Sequence, residues 1–536
     1  MAERSRFWPK SRCRGRCTLR RPRMARSSTW RPAKHCTRWL PGHRAAARTP
    51  DSDGPKLMKI RISFSLRLAL AAMIGTAAVA AANEPPAMFG NTPARNMVSG
   101  ARNLPTEWDV RSGENIVWRA KVGSQTYAGP VIHGGRVYAG TNNEGLRRPG
   151  IEGDKGVLIA LDKDTGALLW QATHDKLGAG RVNDWPLQGI CSTPYVEDER
   201  VYYVSNRATV VAVDVDGFRD GVNDGVTDEQ YKQELDADIV WEYDMIGELD
   251  VFPHNLAAGS PLVVGDLLFT VTGAGVDEGH INLPSPASPA FIALNKNTGE
   301  LVWESLDSSD AVLHGSWSNP AYGVIDGQPQ IAFPGGDGWL YTYEPATGNL
   351  LWKFDLNPKD SIWELGGAGT RNNIISTPVF YSNRFYLGVG QDPEHGEGPG
   401  HFYAMDANVE GDATDSAALW HFGGEDFNRT ISTAAISDGL LYIPDLSGFL
   451  YVLDVETGEH LWTHDTFAAV WGSAFVADGK VYLGDEDGDI VVLEAGREEK
   501  VIAEHNMGSA VYTTPVAEDG RIYVATRSDV FAIGSD

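Results

Sequence analysis

Residues Gly448-Phe-Leu-Tyr-Val-Leu-Asp454-Val-Glu-Thr457-Gly458-Glu-His-Leu-Trp462 decide the fold. An apolar run rich in β-branched and aromatic residues ends at an acid, a Thr-Gly turn follows, and a second run ends at Trp. Such runs between turn residues read as two short antiparallel strands. The same spacing of acid or amide, Gly and Trp returns at Asp162, Gly166 and Trp170, at Asn295, Gly299 and Trp303, and at Glu344, Gly348 and Trp352. Degenerate copies run from Val210-Val-Ala-Val-Asp214 to Trp241 and from Phe402-Tyr-Ala-Met-Asp406 to Trp420, each with a longer insert before the Trp. Two more, Ile490-Val-Val-Leu-Glu494 and Val530-Phe-Ala-Ile533, lack the Trp.

A second segment precedes each copy and is clearest as Ser473-Ala-Phe-Val-Ala-Asp478-Gly479-Lys-Val-Tyr-Leu-Gly484. Its relatives begin at Gly129-Pro130, Thr193-Pro194, Ser260-Pro261, Asn319-Pro320, Thr377-Pro378, Thr433-Ala434 and Thr514-Pro515. Both segments occur eight times, so each unit holds four short strands. A four-stranded sheet repeated every ~40 to 70 residues cannot bury both faces alone and does so by stacking around an axis, as propeller blades do. The last unit, Val516 to Ile533, has three strands, whereas Asn115 to Val122 is a fourth strand with its Trp118 and nothing before it. The expected fold is therefore an all-β, eight-bladed propeller of four-stranded antiparallel blades over residues 115–536, closed by pairing the first strand with the last blade.

The remaining sequence divides by charge. The chain of 536 residues carries 46 Lys+Arg and 71 Asp+Glu, but residues 1–57 hold 16 of the former and 3 of the latter. The other 479 residues are strongly acidic and repel phosphate backbones, so nucleic acid is not an expected partner. From Met58, the basic Lys59, Arg61 and Arg67 lead into an Ala- and Leu-rich run ending in small residues at Ala80 and Ala82, the pattern of a secretory signal. Residues 58–82 are expected to be a cleaved signal peptide directing the mature chain to the periplasm or outside the cell. The run falls short of the roughly 20 residues of a membrane span. Residues 1–57 then read as a basic, disordered preface that is not translated, and residues 83–114 as a lead-in. The preface holds Cys13, Cys17 and Cys36 without a fourth metal partner, which leaves Cys191 in the mature chain as a buried structural thiol.

The repeat Leu161-Asp162-Lys-Asp-Thr-Gly166-Ala-Leu-Leu-Trp170 resembles the pyrroloquinoline-quinone (PQQ)-like propeller superfamily, whose eight blades interlock through such Trp residues. In this chain Trp118, Trp170, Trp241, Trp303, Trp352, Trp420 and Trp462 recur at outer-strand ends, so they are expected to be packing anchors between blades. That superfamily contains quinoprotein alcohol dehydrogenases, which hold PQQ and Ca²⁺ in the central funnel, and non-enzymatic assembly lipoproteins of the outer membrane. This chain has no adjacent Cys pair, no Cys-x-x-Cys-His haem motif and no lipobox. Two readings follow from the resemblance: an exported binding or assembly module, put first, and a PQQ- and Ca²⁺-dependent dehydrogenase of alcohols or sugars.

Strand order assigns the site to one face. Minimal Asp-Gly and Thr-Gly turns occupy one side, while the other receives Thr141 to Lys155, Gly273 to Pro289, Gln391 to Gly400 and the blade-to-blade crossovers. The crossovers supply the candidate funnel residues Trp185, Gln188, His254, Asn255, His314, Trp317, Arg371, Asn372, Arg429, Trp471 and Tyr512. Arg pairs with carboxylates and Trp stacks on rings, so a small molecule, a glycan or a protein is the expected partner there. Asp485, Asp487 and Asp489, and the insert from Asp214 to Asp228, are oxygen-rich enough for Ca²⁺ but lack the EF-hand register. The run Asp392-Pro-Glu394-His395-Gly-Glu397-Gly-Pro-Gly-His401 carries transition-metal ligand types without regular spacing to aim them.

Overall fold

Each Asp-Gly-Trp copy folds as the last hairpin of a four-stranded antiparallel blade. In the copy around Asp454 the strands Ala435–Ser437, Leu440–Pro444, Phe449–Asp454 and His460–Asp465 pair in sequence order. The computed structural model describes residues 84–145, 147–366, 369–391, 394 and 398–535. Residues 58–82, expected to be a signal peptide, and residues 1–57 with their three Cys lie outside these residues.

Eight blades form the ring. In chain order their inner strands are Val131–His133, Tyr195–Glu197, Leu262–Val264, Ala321–Ile325, Val379–Tyr381, Ala435–Ser437, Phe475–Ala477 and Val516–Glu518. We number the blades 1 to 8 in that order. The outer strand of blade 8 is Ile116–Lys121, paired antiparallel with Asp529–Ile533 in a register that sets Trp118 opposite Ala532 and Lys121 opposite Asp529. Middle strands such as Thr209–Asp214 are buried along their length, whereas outer strands such as Leu301–Ser305 bury the central Trp303 and expose its neighbours. That gradient follows from stacking: a middle strand has a blade on each face, and an outer strand also meets water.

The Trp residues join the blades. Trp118 Nε1 donates to the Lys163 carbonyl of blade 1 at 2.8 Å, Trp241 to Lys296 of blade 3 at 2.9 Å, Trp303 to Pro345 of blade 4 at 2.8 Å and Trp420 to Val455 of blade 6 at 3.0 Å. In each case the acceptor is the residue after the acid or amide of the next blade's repeat. The repeat Gly lies on the incoming ring: a Cβ at Gly458 would sit 2.7 Å from Trp420, and one at Gly166 2.6 Å from Trp118. Both glycines have positive φ, so the turn and the docking require the same residue. Blade 4 departs from the pattern. Trp352 Nε1 donates to Gln330 Oε1, and Gln330 Nε2 carries the link to the Ala407 carbonyl of blade 5.

The two long inserts brace outer edges. Gly411–Asp412, within the blade 5 insert, pairs parallel with the outer strand of blade 4. In the blade 2 insert, Asp236 bridges to Gln171 of blade 1 and accepts a bidentate, buried pair of hydrogen bonds from Arg148.

The lead-in lies against the inner strands. Between residues 87 and 98 it hydrogen-bonds to Val196, Tyr322, Phe380, Ile436 and Val476, on the inner strands of blades 2, 4, 5, 6 and 7. Its flanks reach Gly134 through Glu84 and Asp478 through Leu104, at the tight turns after the inner strands. The lead-in therefore lies toward the short-turn side of the ring. Arg95 anchors it, fully buried, donating to the carbonyls of Phe89, Ser260, Pro261 and Pro320. Burial lowers this guanidinium to about 9, which leaves it cationic at neutral pH. Among the described residues no helix is long and apolar enough to cross a membrane.

Candidate functional site

The crossovers and the long second-to-third-strand loops share the face opposite the lead-in's turn contacts, and their side chains gather in two sectors. The first is built on blades 3 to 5. His254 lies in the crossover into blade 3, His280 in the long loop of blade 3, His314 in the crossover into blade 4 and Glu394 in the long loop of blade 5. One ligand atom from each of these four lies within 4.8 Å of all the others.

Backbone pairing sets this geometry. Gly275 N donates to the Phe252 carbonyl at 3.0 Å and Val276 N to the His314 carbonyl at 2.8 Å, which clamps the blade 3 loop between the two crossovers. Only glycine fits at 275: a Cβ would stand 2.3 Å from the His314 carbonyl oxygen and 2.6 Å from His254 Cβ. The ring of His254 is oriented by its Nδ1, 2.7 Å from the Val276 carbonyl. A carbonyl only accepts, so Nδ1 carries a proton, and in that tautomer the lone pair lies at Nε2. That Nε2 stands 2.8 Å from His314 Nε2. Trp317 packs edge-on to His314 with centroids 4.8 Å apart and donates Nε1 to the His254 carbonyl at 3.1 Å.

His280 reaches the group from a turn closed by Asp277. The Asp277 carboxylate accepts from Asn282 Nδ2 at 2.6 Å, Ile281 N at 3.0 Å and Asn282 N at 3.2 Å, and these donors hold it below the usual carboxylate range. The turn places His280 in the left-handed region, with φ 58°. Glu394 Oε2 is 3.5 Å from both His280 Nε2 and His314 Nε2. His254 and His314 are buried, whereas His280 is half-buried and Glu394 exposed.

The second sector is aromatic and belongs to blades 7, 8 and 1. Tyr512 stacks on Tyr127 with centroids 4.9 Å apart and an interplanar angle of 7°, and Trp471 meets Tyr512 edge-on at 5.7 Å. Trp471 Nε1 donates to Glu486 at 3.0 Å, and Gln188 reaches the Tyr127 hydroxyl. Cys191 lies in the crossover into blade 2. Burial pushes its thiol up to about 12, so it stays protonated.

The other candidates are spread around the ring. Trp185 and Asn255 join neighbouring crossovers through a 2.6 Å backbone hydrogen bond, with the Arg181 guanidinium 5.1 Å above the Trp185 ring. Arg371 forms a bidentate pair with Asp355, at 2.7 and 3.0 Å, and donates to the Asp337 carbonyl. Asn372 is buried and exchanges two hydrogen bonds with Asn357. The Arg429 backbone receives Leu446 N at 2.9 Å.

Of the acidic runs, Asp485 acts as a turn former: its carboxylate accepts from Asp489 N at 2.9 Å, while Asp489 accepts from Asn506 Nδ2 at 2.8 Å. Among the described residues, the one group of His, Cys and acidic side chains whose ligand atoms converge is the His254 cluster. The sequence reading named His254 and His314 and placed Glu394 in a metal-capable run, but passed over His280. The signal for it was available, since Gly273 to Pro289 was one of the three long loops assigned to this face.

The family described as outer membrane protein assembly factor BamB matches residues 106–276, 231–392 and 405–533. A BamB of that description from Kangiella koreensis is 26% identical over 193 residues, which is 36% of this chain and 44% of the relative. The match thus spans less than half the length of that curated relative. Among solved structures, BamB from Moraxella catarrhalis aligns at 11% identity and TM-score 0.48, covering 78% of this chain and 97% of that one. Quinohemoprotein alcohol dehydrogenase from Comamonas testosteroni aligns at 12% identity and TM-score 0.44, covering 83% of this chain and 80% of that one. With its repeats matched over most of the stretch from residue 106 to 533, the chain belongs to the BamB-type family of PQQ-like repeat propellers.

Proposed function

We propose that this propeller is an exported binding and assembly module that receives a protein partner on its loop-rich face. The observation that carries the reading is the family match across most of the propeller, under the description of an outer membrane assembly factor. The architecture supports it. The lead-in lies across the inner strands toward the short-turn side, so the opposite face holds the wider surface of long loops. Large apolar side chains are exposed there, with Phe467 at 88% and Trp363 at 41% of full exposure, and aromatic anchors are what protein interfaces use most.

The test is photo-crosslinking of the full chain in its native host. A photoreactive residue at Phe467 or Trp363 is expected to yield a protein adduct, and one at Asp164, in a Thr-Gly turn on the far side, is not. Adducts at Asp164 alone, or none at any position, overturn the reading. So does tight binding of PQQ with Ca²⁺ accompanied by dye-linked oxidation of alcohols or sugars, the outcome that belongs to the quinoprotein alternative.

A further inference from the structure

We infer that His254, His280, His314 and Glu394 form a binding site for one late first-row divalent metal ion, of the Zn²⁺ or Cu²⁺ class. The inference is independent of the protein partner proposed above, since the ligands lie within one sector and their arrangement needs no second chain.

Four observations converge. Three imidazole nitrogens and a carboxylate oxygen meet within 4.8 Å of one another, from four separate segments of the chain. A hydrogen bond between His254 and His314 explains two of those groups; it does not explain why two more loops deliver ligand atoms to the same point.

Three of the six pairwise spacings lie near those around one ion. With metal–ligand bonds of about 2.05 Å, ligands of a single ion stand roughly 2.9 Å apart at a right angle and roughly 3.3 Å apart at a tetrahedral angle. The observed separations are 2.8 Å between the His254 and His314 nitrogens and 3.5 Å from Glu394 to each of His280 and His314.

Ring orientation is the third. His254 gives its Nδ1 proton to the Val276 carbonyl, the outer hydrogen bond that metal-bound histidines characteristically make, and so aims Nε2 inward. Trp317 and the Gly275 clamp hold the two buried rings in place.

The fourth is charge. The body of the protein is strongly acidic, which favours cation entry, and the cluster adds a carboxylate to three imidazoles. Three imidazoles select against Ca²⁺ and Mg²⁺, which take oxygen ligands, and suit zinc, copper or nickel. An ion bound here ties the blade 3 loop and both adjoining crossovers to the long loop of blade 5.

The experiment uses the full chain without a polyhistidine tag, stripped by chelator and titrated separately with Zn²⁺, Cu²⁺, Ca²⁺ and Mg²⁺ by calorimetry, with bound metal counted by elemental analysis. One Zn²⁺ or Cu²⁺ per chain is expected, with no uptake of Ca²⁺ or Mg²⁺ at this site. His280→Ala and Glu394→Gln are each expected to weaken the affinity at least 10-fold and to keep the circular dichroism of the metal-free parent, because neither side chain is in the core. The Cu²⁺ form is expected to show nitrogen hyperfine structure in its electron paramagnetic resonance spectrum, reduced in His280→Ala. His314→Ala is expected to abolish binding; should that variant misfold, the two less buried positions decide. Less than one ion per chain for both metals, or an affinity unchanged in both His280→Ala and Glu394→Gln, overturns the site and leaves His254 and His314 as a buried hydrogen-bonded pair.

Discussion

The two sectors of the loop-rich face use the same kind of crossover and fill it in opposite ways. Around blades 7, 8 and 1 the side chains satisfy one another: Tyr127 lies flat on Tyr512, Trp471 closes the edge and Glu486 takes its indole proton. Around blades 3 to 5 three imidazoles and a carboxylate from four segments are aimed at one point. The difference teaches that polar and aromatic residues on a funnel rim are weak evidence for a site until their directions are known. Ring faces that meet stabilise a scaffold, whereas nitrogen and oxygen ligand atoms gathered from separate segments can share a cation.

The largest test of that contrast is Gly275→Val. The added side chain has no room between His254 and the His314 carbonyl, so the variant is expected to lose metal uptake and about 3 kcal/mol or more of stability, read as a lowered thermal midpoint. A variant that keeps both would show that the clamp does not organise the sector.

Two histidines outside the metal cluster sharpen the comparison through pH. His174, bonded to the Tyr203 hydroxyl at 2.7 Å, and His401, 3.0 Å from His421, are both pushed down to about 4 by burial. They are neutral in the folded chain, while the unfolded chain takes up protons from its ordinary value near 6.5 downward. Their contribution is therefore complete above about pH 6.5 and is lost as the pH falls toward 4, by roughly 2 to 3 kcal/mol per group. Thermal midpoints followed from pH 7 to 4 are expected to fall less steeply in His174→Gln than in the parent. An equal slope in His174→Gln would mean that the acid sensitivity originates elsewhere.

In the aromatic sector, a double-mutant cycle of Tyr127→Leu and Tyr512→Leu is expected to give a coupling of about 1 kcal/mol from the stacked rings, with metal affinity unchanged in every variant. A shift in metal affinity would mean that the sectors are not independent. The smallest effect is expected at Arg181, an exposed residue that joins the crossover bearing Trp185 to Glu278 of the blade 3 loop. Arg181→Ala is expected to change stability by at most about 0.5 kcal/mol, because solvent screens such a pair. A larger loss in thermal melts would make it a strut for the His280 loop.

Legibility in the sequence followed the range of the interactions. The Trp anchors were readable because Asp454, Gly458 and Trp462 encode a local turn, and the ring contact that it accepts recurs with the repeat. The exception at Trp352 was not, since Gln330 acts as a relay only through the Ala407 carbonyl of the next blade. Arg371 and Asn372 stood out as polar residues in a crossover, yet a sequence does not say that Asp355 and Asn357 stand beside them. The lead-in read as a featureless segment because three of the four acceptors of Arg95, the carbonyls of Ser260, Pro261 and Pro320, lie far away in the chain.

From its sequence alone, then, this protein's repeat, the number of its blades, the docking role of its Trp residues and the face bearing its long loops were determined, because each depends on periodicity and turn chemistry within about 40 to 70 residues. Tertiary structure alone decided that His254, His280, His314 and Glu394 share one point, and that the lead-in binds the inner strands of five blades. Those outcomes depend on where the ring brings distant segments and on which way their side chains turn, and neither is written in any local stretch of the chain.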